Sequence, residues 1–206
     1  MSDRQIRPTE EERREYFRIE DQVLLEHRPI GEAELEPLRL RLADRIPDRF
    51  TVAANFATHS RAMNRILHGF SARSPELARY LRIMDQKLNQ LARLFVMEEM
   101  ALGVESALRV NLSAGGMVFP ARSEIEPGAL LELRFALLPE MIGVLAAARV
   151  VYCERAATGH PDHPWQVAVE YECIRETDRD LLCAHIMSRE TELLRQQREQ
   201  QGAEEE

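Results

Sequence analysis

Lysine is almost missing from this chain: Lys87 is the only one among 27 basic residues. The positive charge is therefore carried by arginine, whose planar fork suits bidentate contacts to phosphate and to the O6/N7 edge of guanine. It is outnumbered by 35 acidic residues, and the net charge of −8 argues against a nucleic-acid polymer as partner. Cysteine is scarce too. Cys153, Cys173 and Cys183 are odd in number and have no short paired spacing, which excludes a disulfide framework and a cysteine zinc site. They read as small apolar fillers in a reduced compartment. No apolar run approaches the ~18 residues that a membrane span needs. Met1 to Glu12 is polar, without the apolar core of a signal peptide, so cytoplasm is the expected location. The sequence also lacks G-x-S-x-G, a P-loop, H-E-x-x-H and any nucleophile set beside a base. Neither an enzyme nor a resident cofactor nor a metal site is expected.

What is present alternates between two periodicities. From Tyr16 to Arg28 apolar and polar residues alternate, with Phe17, Ile19, Val23 and Leu25 prominent, and Pro29-Ile30-Gly31 is expected to end this strand. From about Glu34 to Leu102 the pattern is helical. A short helix, Leu35 to Ile46, stops at Pro47. A second, Val52 to His68, places Val52, Phe56, His59, Met63, Ile66 and Phe70 at steps of 4 and 3. A third opens at Ser74-Pro75-Glu76, a cap residue followed by proline in the first turn. It places Leu77, Leu81, Met84, Leu88, Leu91 and Phe95 at the same steps, with Leu102 one heptad beyond and Glu98 between. That spacing is the seam of a coiled coil or helical bundle.

A third helix of roughly 27 residues would be about 40 Å long. It would overhang a ~100-residue domain, whose radius of gyration is about 13 Å. The seam residues Phe56, Met63, Leu77, Leu81, Met84, Leu88, Leu91 and Phe95 are therefore expected to meet a second copy of the chain in a dimer or tetramer. The alternative is a helical hairpin packed on its own barrel. His59, on the apolar seam, is expected at the interface rather than in a ligand site.

After Gly103 the period returns to two. Candidate strands are Ala107 to Asn111, Gly116 to Phe119, Ala129 to Leu137, Val144 to Tyr152 and Gln166 to Tyr171, separated by glycine and proline turns. With the first strand they make six, suited to a small antiparallel barrel in an α+β chain. A last helix, Thr177 to Gln200, carries Leu181, Leu182, Ile186 and Leu193. Three regions follow: an arginine arm and first strand (1–30), an inserted helical segment (31–102), and the rest of the barrel with its closing helix (103–206).

Two short segments carry chemistry. Arg14 and Arg18 form an R-x-x-x-R pair, with Arg13 beside them, entering the first strand. Asn111-Leu112-Ser113-Ala114-Gly115-Gly116 fits [D/N]-x-S-x-x-G in a strand-to-strand turn. Alone, the arginines read as a solvated arm balanced by Glu10, Glu11, Glu12 and Glu15, and the turn reads as an ordinary β-turn. Together, in this order and β context, they resemble the PilZ domain family. The resemblance continues through Glu126-Pro127-Gly128 to Leu133, Ala148 to Val151, Trp165 to Tyr171, and Thr177 to Leu182.

The resemblance implies a six-stranded barrel that binds cyclic di-GMP, often as a stacked pair of ligand molecules. It implies that Arg13, Arg14 and Arg18 hold phosphates and guanines, and that Asn111, Ser113 and Gly116 form the opposing wall. One position departs from the family's usual aspartate: Asn111, whose amide both donates and accepts. The arm is expected to be flexible alone and ordered by ligand, offering a changed surface to an unidentified downstream protein. The alternative is a degenerate barrel kept as an oligomeric scaffold for protein contacts. Trp165 is expected to cap the barrel, and His160 and His163 to be loop histidines.

Overall fold

The computed structural model describes residues 17–43, 50, 67, 69, 74–100, 107–156 and 162–204. Period-two alternation divides each long strand between two hydrophobic clusters. In β1 (Ile19–Ile30), Ile19, Val23 and Leu25 enter one cluster, while Leu24 and Ile30 enter the other. β4 (Leu130–Leu137) splits likewise: Leu131, Leu133, Phe135 and Leu137 against Leu130 and Ala136. In β5 (Ile142–Arg155), Val144, Ala148 and Val150 oppose Leu145 and Ala147. Such strands are covered on both faces, as successive side chains point to opposite sides of a sheet.

With β2 (Leu108–Leu112), β3 (Gly116–Ala121) and β6 (Trp165–Ile174) they close a barrel in the order β1-β2-β3-β6-β5-β4. Every pairing is antiparallel. The first cluster fills its interior. The second coats the outer face of β1, β4 and β5, where α1 (Glu32–Ala43) and α2 (Pro75–Glu99) dock.

All six expected strands form, in an α+β chain, with two corrections. β1 begins at Ile19, and Phe17 is exposed, so the alternation read from Tyr16 starts too early. Nor does Pro29 end it: β1 continues to Ile30, with Pro29 opposite Leu131. Pairing with β2 covers only Ile19 to Val23, so beyond that point β1 is paired on one side, where a missing N–H is tolerated.

The helix α1 starts where Glu34 folds back on Gly31: the Glu34 carboxylate accepts the Gly31 N–H at 3.0 Å while Glu34 N–H donates to the Gly31 carbonyl at 2.9 Å. Leu35, Leu38 and Leu42 bury its inner stripe.

The 25-residue helix α2, about 37 Å long at 1.5 Å per residue, sets proline in its first turn as expected, though Ser74 makes no side-chain cap. Ala92 and Val96, with Met100 just beyond, hold it to the barrel. Its large apolar residues point elsewhere. Leu77, Leu81, Met84, Leu88, Leu91 and Phe95 are between 39% and 54% exposed. None of these six belongs to either hydrophobic cluster of the barrel; Phe56, Met63 and His59 lie outside the described residues.

The closing helix α3 (Glu176–Glu204) lays Leu181, Leu182 and Ile186 into the interior cluster, plugging one barrel end. Among the described residues no helix is long and apolar enough to cross a membrane.

Candidate functional site

Antiparallel registers decide what meets at the plugged end. Ile19 pairs with Leu112, Val23 with Leu137 and Gly116 with Glu170. The start of β1, the β2–β3 turn, the β4–β5 turn and the last residues of β6 are therefore neighbours, although they are distant in sequence.

Arg18 stands immediately before β1. Its Nη1 donates to Asn111 Oδ1 at 3.3 Å, joining positions 93 apart. The same Asn111 donates from Nδ2 to Glu20 Oε1 at 2.8 Å, and Arg109 pairs with Glu20 at 3.4 Å. Glu20 and Asn111 are direct register partners across β1 and β2. The amide thus accepts from a cation and donates to an anion. A carboxylate at position 111 would face Glu20 with like charge, which gives a physical reason for asparagine here.

Ser113 is 2% exposed. Its hydroxyl donates to the Gly116 carbonyl at 3.0 Å and accepts the Gly116 N–H at 3.2 Å, so it locks the turn from within. A Cβ at Gly116 would collide with the Val169 carbonyl oxygen of β6, hence the glycine. Tyr171 N–H, 2.9 Å from the Gly115 carbonyl, ties β6 to the turn. Of the expected site residues, the structure brings together Arg18, Asn111, Ser113 and Gly116. Arg13 and Arg14 lie outside the described residues, as does His160. Trp165, opposite Ala121 at the far barrel end, is half-buried against the interior cluster with the Arg155 guanidinium 5.3 Å over its ring. Among the described residues no three metal-ligating side chains gather.

Sequence reasoning missed a polar cluster that fixes the plug. Asp21 occupies an inward slot of β1, between Ile19 and Val23, and that mismatch was its one signal. His185 Nε2 of α3 lies 2.6 Å from its Oδ2 and Arg189 Nε 3.3 Å from its Oδ1. Both Asp21 and His185 are buried. Burial alone pushes the Asp21 carboxyl up. The hydrogen bond to His185, a backbone hydrogen bond at Gln22 and the charges of His185 and Arg189 outweigh it, leaving the carboxyl below its ordinary value. An ionised carboxylate only accepts, so His185 carries its proton on Nε2.

Asp21→Asn is expected to lower the unfolding free energy at pH 7 by about 3 kcal/mol, the scale for breaking a buried pair. Because the folded value is depressed, the wild-type advantage is present above the unfolded pKa near 3.8 and is lost as pH falls through the folded one. Urea unfolding of both proteins from pH 7 to pH 3 checks this. Coincident curves at pH 7 would remove Asp21 from the account of stability.

The model of the family described as the PilZ domain matches residues 82–188, just over half of the chain, beginning inside α2 and leaving out β1 and the arm. No curated protein matches the sequence. Among solved structures, a pathogenic protein from Xanthomonas campestris has a TM-score of 0.53 at 13% identity, covering 88% of this chain and 91% of its own. It is described as a tetrameric PilZ domain self-assembled via a helical bundle. At that identity the likeness shows a shared fold. The Bacillus subtilis inhibitor of motility matches 43% of this chain and 44% of its own at 22% identity, with a TM-score of 0.36, too low to carry an argument.

Proposed function

The chain belongs to the PilZ domain family, and from that premise we propose that it is a non-enzymatic, cytoplasmic receptor for cyclic di-GMP that self-associates through the apolar face of α2. The observation that carries the receptor reading is the Arg18–Asn111 contact, which unites the arm with the β2–β3 turn at one barrel end. Cyclic di-GMP presents two anionic phosphates and two guanines with flat faces and acceptor edges. Arg13, Arg14 and Arg18 supply guanidinium groups for phosphate, O6/N7 or stacking, and Asn111 supplies an amide for a guanine edge. Ser113 and Gly116 hold the backbone of that wall in place. Arg18 is followed directly by β1, so a ligand that engages the arm acts on a strand whose Asp21 also holds α3. The resulting change of surface is what a downstream protein would read.

The self-association reading rests on the apolar row of α2, which single-chain folding leaves in water. A second copy is the occupant that a heptad seam fits, as a dimer or tetramer. The Xanthomonas protein, described as assembling by a helical bundle, lends the arrangement precedent. In this reading residues 31–102 are an assembly segment inserted after the first barrel strand.

A second reading is favoured by Ser113 and Gly116, whose hydrogen bonds close the turn without any ligand: a barrel that has kept its fold and serves as an oligomeric scaffold. Isothermal titration with cyclic di-GMP separates the two. Saturable binding of one or two nucleotides per chain supports the receptor. Absence of heat up to about 100 µM, a binding free energy weaker than about −5.5 kcal/mol, leaves the scaffold.

A further inference from the structure

Tyr171 carries an orphaned hydroxyl. Its ring stacks on Phe135 in the barrel, with centroids 6.1 Å apart and planes at 14°. Its backbone N–H is bonded to Gly115 in the β2–β3 turn. The hydroxyl is shut away from water and has no hydrogen-bond partner among the described residues. Buried phenols ordinarily find one, because a donor taken out of water and left unpaired is destabilising. Burial pushes its pKa far up, against the opposing charges of Arg18 and Arg179. It is therefore a neutral O–H group, able to donate, within the electrostatic reach of the arm's last arginine.

Four residues on, where β6 passes into α3, Arg175 is 9% exposed, and its Nε has no hydrogen-bond partner among the described residues either. No ion pair among the described residues neutralises it. An Nε–H removed from water without an acceptor is an unfavourable burial. One barrel end thus holds two unpaired donors, one of them cationic, beside the turn and the arm already assigned to nucleotide.

We infer that Tyr171 and Arg175 are recognition residues of that same site: a donor pair that takes a phosphate oxygen of bound cyclic di-GMP. This rests on the receptor reading above. The contact that holds Arg18 to Asn111 is single and 3.3 Å long, and Asn111 is bonded more closely to Glu20 at 2.8 Å. Arg18, whose charge already acts on Tyr171, can therefore leave Asn111 for the ligand at little cost. An apolar or cationic ligand would leave both donors unsatisfied, so the pair also selects for an anion. The tyrosine hydroxyl contributes nothing to packing that a phenylalanine would not, and this allows recognition to be separated from structure.

Calorimetric titration with cyclic di-GMP and thermal melting of the free protein, on the full chain, test the inference with Tyr171→Phe and Arg175→Gln. The Tyr171→Phe protein is expected to melt at the same temperature as wild type or higher, since an unpaired buried donor is gone, yet to bind about tenfold more weakly. Arg175→Gln is expected to weaken binding at least tenfold, by about the worth of a charge-assisted hydrogen bond. Wild-type affinity in Tyr171→Phe, or a melting point several degrees below wild type, overturns the inference and leaves the receptor reading standing. Failure of the wild-type protein itself to bind overturns the receptor reading and this inference together.

Discussion

Replacing Arg14 and Arg18 together by alanine is expected to weaken cyclic di-GMP binding at least 100-fold while leaving the melting temperature within a degree or so of wild type. A hydrogen bond to a charged group is worth about 1.5–3 kcal/mol, and losing two such partners from a phosphate or guanine amounts to about 3–6 kcal/mol, or two to four decades of affinity. Stability should be spared for a visible reason. Arg18 is exposed, and among the described residues its hydrogen bond is the 3.3 Å contact to the half-buried Asn111. Surface changes of that kind stay within about 0.5 kcal/mol. Titration of both proteins, alongside their melting curves, decides the matter. Undiminished affinity in the double variant would place the nucleotide elsewhere.

The second large effect concerns assembly. In a single chain Leu81 is 39% and Leu88 42% exposed, near the middle of a row that runs from Leu77 to Phe95. If the proposed seam joins two copies, Leu81→Glu with Leu88→Glu is expected to leave the chain monomeric at micromolar concentration without unfolding the barrel. Burying a fully exposed leucine is worth roughly 1.5–3 kcal/mol, and the two-fifths still exposed here roughly 0.6–1.2 kcal/mol. Two per chain, doubled across a symmetric interface, amount to about 2.5–5 kcal/mol, before the cost of placing carboxylates on the seam is added. The barrel should survive because α2 is held to it by Ala92, Val96 and Met100, on another face of the helix. Sedimentation velocity of both proteins reads the state. A wild-type chain already monomeric, or a variant that keeps its oligomer, would end the assembly reading.

These two expectations draw on different amounts of tertiary information. The strands were legible because half-buried β-structure writes a period of two into local sequence, and both motifs were legible because each lies within six residues. Strand ends were less so. Whether Pro29 stops a strand depends on whether its missing N–H faces a neighbour, and β2 leaves that side of β1 at Val23. Ser113 and Gly116 were singled out from sequence, but the internal hydrogen bonds of one and the close approach of Val169 to the other are consequences of folding. Nothing local marked Tyr171 or Arg175, because a lack of partners is a property of surroundings. His185 meets Asp21 across 164 positions, and no spacing rule spans such a gap.

By itself the amino-acid order determined the element types, the six-strand count, the presence of both an R-x-x-x-R and an Asn-x-Ser-x-x-Gly motif, and the heptad row of large apolar residues on the third predicted helix. All of these are short-range, since propensity, periodicity and turn chemistry act within about a dozen residues. Only the tertiary structure decided which face of α2 the barrel takes. It chose small Ala92 and Val96, which let a helix approach an outer sheet face lined by Ala136 and Ala147, and left the leucines outside. It also decided which inward polar groups find partners: among the described residues the Asp21 carboxylate does and the Tyr171 hydroxyl does not. The physical reason is shared: close packing and desolvation act between surfaces, and chain closure over scores of residues must bring two surfaces together before either can favour one arrangement.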